Sequence, residues 1–155
     1  MPGVKFSRDV LKSSTKNASG DFVQQSRFTV EIDGVTAGGI MKVDGLEHEH
    51  EMVVYQDADD HFSRLRPGRQ KVGTLKLDRL WANGEFYDWF KTVYDGDVQR
   101  KSISVIFLTD DGAESARVNL HDCWPKKWRL NGLHSRTSGH VVESLEIMFE
   151  RVEFA

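Results

Sequence analysis

The sequence lacks most of the features that mark secreted, membrane-spanning and disulfide-stabilised proteins. It contains a single cysteine, Cys123, so an internal disulfide is excluded, and we expect this thiol to be a small buried group in a reducing compartment. Residues 1–20 hold no apolar run of signal-peptide length, and no apolar stretch reaches the roughly 18 residues that a membrane-spanning helix needs. These absences predict a soluble chain that is made in the cytoplasm.

Strong charge and catalytic signatures are also missing. The formal net charge of −3 gives no reason to expect specific nucleic-acid binding or membrane binding. The chain has no Gly-x-Ser-x-Gly elbow, Walker loop, Gly-x-Gly-x-x-Gly fingerprint, His-Glu-x-x-His helix or Cys-x-x-Cys pair. We therefore expect neither an enzyme nor a bound cofactor.

Composition divides the chain into an arm and a domain. Residues 1–26 are rich in Ser, Lys, Asn and Gly and have few large apolar side chains, which predicts a flexible N-terminal arm that becomes ordered on a partner. Residues 27–155 are enough for one domain with its own hydrophobic core.

Alternating apolar and polar residues predict that this domain is built mainly from β-strands. RFTVEID shows the pattern first, and it returns in KVGTLKLDRL, KSISVIFLTD, ESARVNLHD and HVVESLEIMFERVEF. The turn DDG joins two of these stretches into a hairpin. We expect residues 40–55 to form one long strand with a bulge or bend at Gly45.

One helix interrupts the strands. Apolar residues fall at helical spacing from Phe86 to Val93, with Asn83 placed to start the helix and Gly96 to end it. About six antiparallel strands with one helix predict a mainly β, α+β fold, either a β-sandwich or a partial barrel.

The segment GLEHEHEMVV, residues 45–54, raises the question of a metal site. Alternate side chains of a strand share a face. The two faces would then hold His48, His50, Met52 and Val54 on one side and Glu47, Glu49 and Glu51 on the other. This pattern predicts a strand that is packed on its histidine face and acidic on the reverse.

A metal site is the competing interpretation of the same segment. His48 and His50 could place two nitrogens on one ion, but a catalytic ion needs a third protein ligand and an open position. His61, His121 or Glu114 could converge on the pair in space. A β-sandwich module that binds a metal or carbohydrate, and a metal-dependent hydrolase, therefore stay open as alternatives.

Residues 56–71 form a long polar excursion whose charges are segregated by sign. The acidic half carries Asp57, Asp59 and Asp60, and the basic half carries Arg64, Arg66, Arg69 and Lys71. Binding of nucleic-acid phosphates is disfavoured because no aromatic side chains alternate with the basic ones. We expect the two halves to meet their opposites on neighbouring copies, as inter-subunit or inter-ring contacts.

Long strands also leave open sheet edges, which invite uncontrolled pairing unless something covers them. Sister subunits can do so. A head-to-tail interface that closes gives a ring, and an unclosed one along the axis stacks rings into a tube. The wall of such a tube needs a solvated inner face, and Glu47, Glu49 and Glu51 are candidates to face the lumen.

Several motifs, in this order and with these gaps, resemble the inner tube proteins of contractile phage tails and of extracellular contractile injection systems. The similarity runs from about Phe28 to the C-terminus. It rests on FTVEIDGVTAGG, VDGLEHEHE followed by Tyr55, RPGRQKVGTLKLDR, Trp89, SISVIFLTDDG and WPKKW at residues 124–128.

The resemblance implies a homohexameric ring with a closed β-barrel lumen. Such rings stack inside a contractile sheath, between a baseplate with its spike and tube-terminating proteins, and carry a payload through the lumen. The particle would be assembled in the bacterial cytoplasm and then released or anchored to a membrane.

Three local expectations follow from the same resemblance. Residues 56–71 would reach a neighbouring subunit or ring, and WPKKW would help to hold the subunit's own sheets together. Relatives commonly carry small or aliphatic residues where His48 and His50 stand. Because imidazole titrates near neutral pH, we expect a pH-sensitive contact at these two positions.

Overall fold

The computed structural model describes residues 23–155, which form ten β-strands and one α-helix. In chain order these are β1 (Phe28–Ile32), β2 (Val35–Ala37), β3 (Ile40–Asp44), β4 (Glu49–Tyr55), β5 (Arg64–Lys71), β6 (Thr74–Leu80), α1 (Glu85–Tyr94), β7 (Lys101–Leu108), β8 (Glu114–Leu130), β9 (Val142–Met148) and β10 (Arg151–Phe154). Residues 1–22 of the predicted arm, which spans residues 1–26, lie outside the described residues. No helix among the described residues is long and apolar enough to cross a membrane.

Two antiparallel sheets share the long strand β8. The first sheet contains β2, β1, β7, the first half of β8 and β10. The second sheet contains the second half of β8, then β9, β6 and β3. Buried side chains of both sheets and of α1 meet in one hydrophobic core. The predicted mainly antiparallel fold with one helix is confirmed, and within residues 23–155 the sheets do not close into a barrel.

Alternation of side chains produces this core. Leu75 and Leu77 of β6 lie opposite Ile147 and Leu145 of β9, and all four are completely buried. Because the side-chain period of a strand is two, the residues between them point to the opposite face of the sheet. Each buried aliphatic side chain contributes roughly 1.5–3 kcal/mol relative to an exposed one.

The helix is where its apolar pattern predicted. Phe86 and Trp89 are buried against the core, and the Trp89 indole N–H donates to the Gln99 carbonyl at 2.8 Å. The Asn83 side chain accepts a hydrogen bond from the Glu85 N–H at 3.2 Å. Beyond the last turn Gly96 adopts φ +86°, a conformation that glycine adopts without steric cost.

A buried ion pair lies within the second sheet, and its arginine also contacts this helix. Glu143 of β9 is completely buried, and it accepts hydrogen bonds from Arg79 Nε and, at 3.0 Å, from the Trp128 indole N–H. The Arg79 guanidinium also covers the Phe86 ring, with 3.8 Å to its centroid. A second guanidinium N–H donates to Asn83 Oδ1 at 3.0 Å. A buried charge is tolerated only with such partners.

The segment WPKKW lies where β8 leaves the first sheet and enters the second. Lys101 of β7 pairs with Cys123, and from Trp124 onward β8 pairs with β9 instead. The register with β9 shifts between Pro125 and Lys127, which is where a strand can accept a proline. One continuous strand therefore links the two sheets, in agreement with the role expected for WPKKW.

The prediction of a single strand over residues 40–55 is wrong. The chain turns at Gly45, whose φ is +87° and whose hypothetical Cβ would collide with the Thr74 carbonyl oxygen. This turn places β3 in the second sheet and β4 in a separate one. The expected number of about six strands was too low, because predicted strands are divided in the structure. The stretch HVVESLEIMFERVEF, for example, forms two strands, β9 and β10.

Candidate functional site: an exposed hairpin and two open sheet edges

Among the described residues, β4 and β5 form a hairpin that is exposed along almost its whole length. Within residues 23–155 these two strands pair only with each other, and all seven residues of β4 are exposed. The predicted polar excursion at residues 56–71 is thus wrong for its second half, because Arg64–Lys71 is a strand. An isolated two-stranded hairpin is at best marginally stable in water, so a contact on one of its faces would stabilise this one.

One face of the hairpin is apolar and carries the two histidines. Met52 lies opposite Pro67 and Val54 opposite Leu65, while His50 faces Gln70. The side chains of Met52, Val54 and Leu65 are 64%, 55% and 62% exposed. We call the set the apolar face: His48, His50, Met52, Val54, Leu65, Pro67 and Gln70. The prediction that the histidine face is packed is wrong within the single chain, where both faces are open.

The reverse face of the hairpin is charged. Its strand β4 contributes Glu49 and Glu51, and Lys71 Nζ lies 3.8 Å from Glu49 Oε1. The Arg66 guanidinium lies over the Tyr55 ring at 5.3 Å from its centroid. Glu47, the third member of the predicted acidic row, precedes the strand.

Three of the predicted inter-subunit charges, Asp60, Arg64 and Lys71, already have a partner within the chain. Arg64 Nε lies 2.5 Å from Asp60 Oδ2, and Lys71 is paired with Glu49. Among residues 23–155 no ion pair involves the remaining four, which are Asp57, Asp59, Arg66 and Arg69. Those four keep their charge available for a partner.

The histidine pair does not gain a third metal ligand from the rest of the described chain. The His48 and His50 rings are 5.7 Å apart between centroids, but no three His, Cys, Asp or Glu side chains cluster anywhere in residues 23–155. His121 instead contacts Glu153 at 3.0 Å. Glu114 accepts a hydrogen bond from Arg117, which lowers the pKa of its carboxyl group.

The only cysteine is not available as a nucleophile. Cys123 is completely buried, as predicted. Burial raises the pKa of its thiol to about 12, so the reactive thiolate is scarce at neutral pH.

Both outer strands of the second sheet have an open edge. In the part of the chain that the structure describes, β3 pairs on one side with β6 only, and residues 124–130 of β8 pair with β9 only. β3 runs antiparallel to β6, β6 to β9 and β9 to β8, so β3 and β8 run in opposite directions. Their unpaired backbone groups can therefore accept a further antiparallel strand.

The surface of the second sheet that faces away from the core is polar, with both signs interspersed. Cross-strand neighbours there include Lys42 with Asp78 and Asp44 with Lys76, and Lys76 Nζ lies 3.8 Å from Glu146 Oε1. We call it the polar face: Lys42, Asp44, Lys76, Asp78, Lys127, Arg129, Ser144 and Glu146. Sequence reasoning missed it, although Lys76 and Asp78 alternate with buried residues in TLKLDRL, as Ser144 does in ESLEIM together with Glu146.

Comparison with known families gives one family model. It is described as the T4-like virus tail tube protein gp19, and it matches residues 24–153. A search of the curated proteins found no match.

Several solved structures have a similar fold. An extracellular contractile injection system, the PVC sheath-tube complex in its extended state, contains a chain with a TM-score of 0.77 at 19% identity, covering 86% of this chain and 90% of that one. The anti-feeding prophage tube-terminating cap gives 0.78 at 16% identity over 86% and 90% of the two chains. Hcp1 from Flavobacterium johnsoniae gives 0.51 at 15% identity over 83% and 94%.

Proposed function

Since the chain belongs to the family of T4-like virus tail tube proteins, we propose that six copies close into a ring and that rings stack into the hollow inner tube of a contractile particle. The observation that carries the proposal is the pair of open edges on the second sheet. Within residues 23–155 these hydrogen-bonding groups have no strand partner, and a second copy would supply one.

The directions of the two edge strands suit this closure. When copies are related by rotation about the ring axis, β3 of one copy and residues 124–130 of the next run antiparallel, as neighbours already do within each copy. The second sheet would then continue around the ring as a closed barrel. Each new backbone hydrogen bond contributes about 0.5–1.5 kcal/mol.

This arrangement also suits the two surfaces of the second sheet. One surface is covered by the hydrophobic core, so the polar face would line the lumen. A lining with interspersed charges of both signs lets a hydrated payload pass without a strong field of one sign. Glu47, Glu49 and Glu51 are proposed to face the lumen as well, from the charged face of the hairpin.

We propose that the hairpin joins neighbouring copies or neighbouring rings. The charges at its turn and along β5 would form these contacts: Asp57, Asp59, Asp60, Arg64, Arg66, Arg69 and Lys71. Asp60, Arg64 and Lys71 have partners within the chain, so Asp57, Asp59, Arg66 and Arg69 would carry most of the contact. Charge pairing at the rim of an interface fixes register more than it adds affinity.

The external partners are inferred from the assemblies in which similar chains were solved. Those structures are described as a sheath-tube complex, a tube-terminating cap and a baseplate. A contractile sheath, a baseplate with its spike and a tube terminator are the corresponding partners here. The role is structural and not enzymatic. Assembly would take place in the bacterial cytoplasm, in a particle that is later released or anchored to a membrane.

Electron microscopy of the purified full-length chain tests the proposal. Rings or tubes with a central hole are expected, and the variant Arg66→Glu/Arg69→Glu should lose them while its circular dichroism stays unchanged. Lys91→Glu, an exposed charge on α1, is the matched control and should assemble. A stable single chain by light scattering at high concentration, which also fails to join preformed particles, would refute the proposal.

A further inference from the structure

Two Asn-Gly pairs occur among the described residues, and the structure holds them in different ways. They are Asn83-Gly84, just before α1, and Asn131-Gly132, just after β8. In such a pair the backbone nitrogen of the glycine can attack the side-chain carbonyl carbon of the asparagine, because glycine has no Cβ to obstruct the approach. The reaction is intramolecular, so its rate depends on how easily the two atoms reach an attack geometry.

The pair Asn131-Gly132 begins the loop of residues 131–141, which connects β8 to β9. The Asn131 N–H donates to the Val142 carbonyl at 2.9 Å, and the peptide bond to Gly132 lies on the loop side of this hydrogen bond. A Cβ built on Gly132 would meet no atom within 4 Å, and residues 132–140 are exposed throughout. Exposed backbone with few contacts changes conformation at low cost in free energy.

The side chain of Asn131 is weakly held. Its one side-chain hydrogen bond among the described residues is accepted by Oδ1 from Ser144 Oγ at 3.3 Å, which is long for a hydroxyl donor. Within residues 132–140 the Thr137 N–H donates to the His134 carbonyl at 3.2 Å. Neither bond restrains rotation between the Asn131 side chain and the Gly132 nitrogen.

The pair Asn83-Gly84 is restrained on both of its residues. Asn83 Oδ1 accepts hydrogen bonds from an Arg79 guanidinium N–H at 3.0 Å and from the Glu85 N–H at 3.2 Å. The Gly84 carbonyl accepts from the Asp88 N–H at 2.8 Å, at the start of α1. Attack by the Gly84 nitrogen would turn this peptide out of the helix start. It would also withdraw an acceptor from Arg79, which is buried, and a buried donor without an acceptor is costly.

We propose that Asn131 is a site of spontaneous deamidation and that the fold protects Asn83 from the same reaction. The Gly132 nitrogen forms a bond to Asn131 Cγ, the Cγ–Nδ2 bond breaks, and the side-chain nitrogen leaves as ammonia with the proton lost by the Gly132 nitrogen. Water then opens the resulting five-membered succinimide at either of its carbonyl carbons, which gives aspartate or isoaspartate at position 131. No electrons are transferred, and solvent water is the only co-reactant.

The product changes the charge balance of the polar face. Asn131 contacts Ser144, a member of that face, and the face carries four cations and three carboxylates. A carboxylate at position 131 makes the two numbers equal. Isoaspartate also lengthens the backbone by one carbon, directly after the edge segment of residues 124–130. Deamidation needs only the folded single chain, so it goes beyond the proposed function and does not depend on it.

Peptide mass spectrometry of the full-length chain, sampled during incubation at pH 8, tests the proposal. The mass gain that marks exchange of an amide for a carboxyl group should accumulate at least about tenfold faster at Asn131 than at Asn83, because misplacing two reacting groups costs large factors in rate. Asn119, which is followed by Leu120 within β8, is the internal control and should not convert. Conversion at Asn131 should be slower at pH 6, because the attacking nitrogen must lose its proton. Equal rates at the two Asn-Gly pairs, or an unconverted Asn131 in the folded chain, overturn the proposal.

The same incubation in denaturing urea separates the effect of the fold from that of the local sequence. Asn131 and Asn83 should then convert at similar rates, because both precede glycine and the native contacts are gone. A difference that persists in urea would show that the fold does not protect Asn83. In the folded chain Gly132→Ala should slow conversion at Asn131 by at least about tenfold, whereas Gly38→Ala, the matched control, should leave it unchanged. Labelling by an isoaspartate methyltransferase should mark the peptide that contains position 131, and a converted peptide without isoaspartate would rule out the succinimide route.

Discussion

The body of the molecule, which consists of the two sheets sharing β8 and the helix α1, differs from the hairpin in how far its side chains are buried. Side chains alternate between two faces along the strands of both regions. In the body, alternate residues of β6 and β9 are buried in one core, whereas all seven residues of β4 are exposed. The body is stabilised within one chain. We propose that the hairpin makes its contacts with other copies, so substitutions in the two regions should have separable effects on folding and on assembly.

The largest effect is expected at the buried ion pair of the body. Glu143→Ala removes the acceptor of Arg79 and of the Trp128 indole and leaves a buried guanidinium without its carboxylate. Breaking such a pair costs about 3–5 kcal/mol, and urea unfolding of the unassembled chain measures the loss. Glu51→Ala on the exposed hairpin is the control and should change stability by less than about 0.5 kcal/mol. Equal stability of the two variants would contradict the ranking.

Two leucines, one in each region, test the same difference in burial. Leu145→Ala opens a cavity at a completely buried position and should lower the free energy of unfolding by about 2–5 kcal/mol. Leu65→Ala on the apolar face should leave that free energy within about 0.5 kcal/mol of the wild type but weaken assembly. Urea unfolding and sedimentation measure the two quantities. If Leu65→Ala destabilised the unassembled chain as much as Leu145→Ala did, the hairpin would belong to the folding core.

A smaller effect is expected at the junction between the two regions. Gly45→Ala introduces a Cβ at φ +87° against the Thr74 carbonyl, and such strain costs on the order of 1–3 kcal/mol. Gly38→Ala is the control, because its Cβ would meet no atom within 4 Å. Thermal unfolding compares the two variants, and equal melting temperatures would show that the turn at Gly45 is not constrained.

The sequence predicted those elements whose pattern is local. The strand β1, the hairpin of β7 and β8, and the helix from its apolar spacing lie where alternation and turn residues placed them. The strand β5 was missed because RLRPGRQK is predominantly basic and contains Pro67 and Gly68, which are uncommon in strand interiors. Both are tolerated there because, within residues 23–155, the outer side of β5 has no strand partner, and the register of the hairpin shifts next to them.

The buried polar network was missed for a different reason. Arg79 and Glu143 are charged residues that surface strands also carry, so their types predicted exposure. Their positions in the strands carried the signal. Arg79 is two residues from Leu77 and Glu143 is two residues from Leu145, so each charged residue shares the inward face with a buried leucine. Pairing between distant strands decided that the two charges would meet, and a local pattern contains no information on that pairing.

Amide hydrogen exchange tests whether sister copies pair along the two open sheet edges, by comparing the unassembled chain with the assembled particle. We expect the amides on the outer sides of β3 and of residues 124–130 to become protected on assembly, together with those of β4 and β5, while β6 and β9 are protected in both states. Unchanged exchange at both edges in a particle that has formed would contradict the account, because the copies would then be held by some other surface.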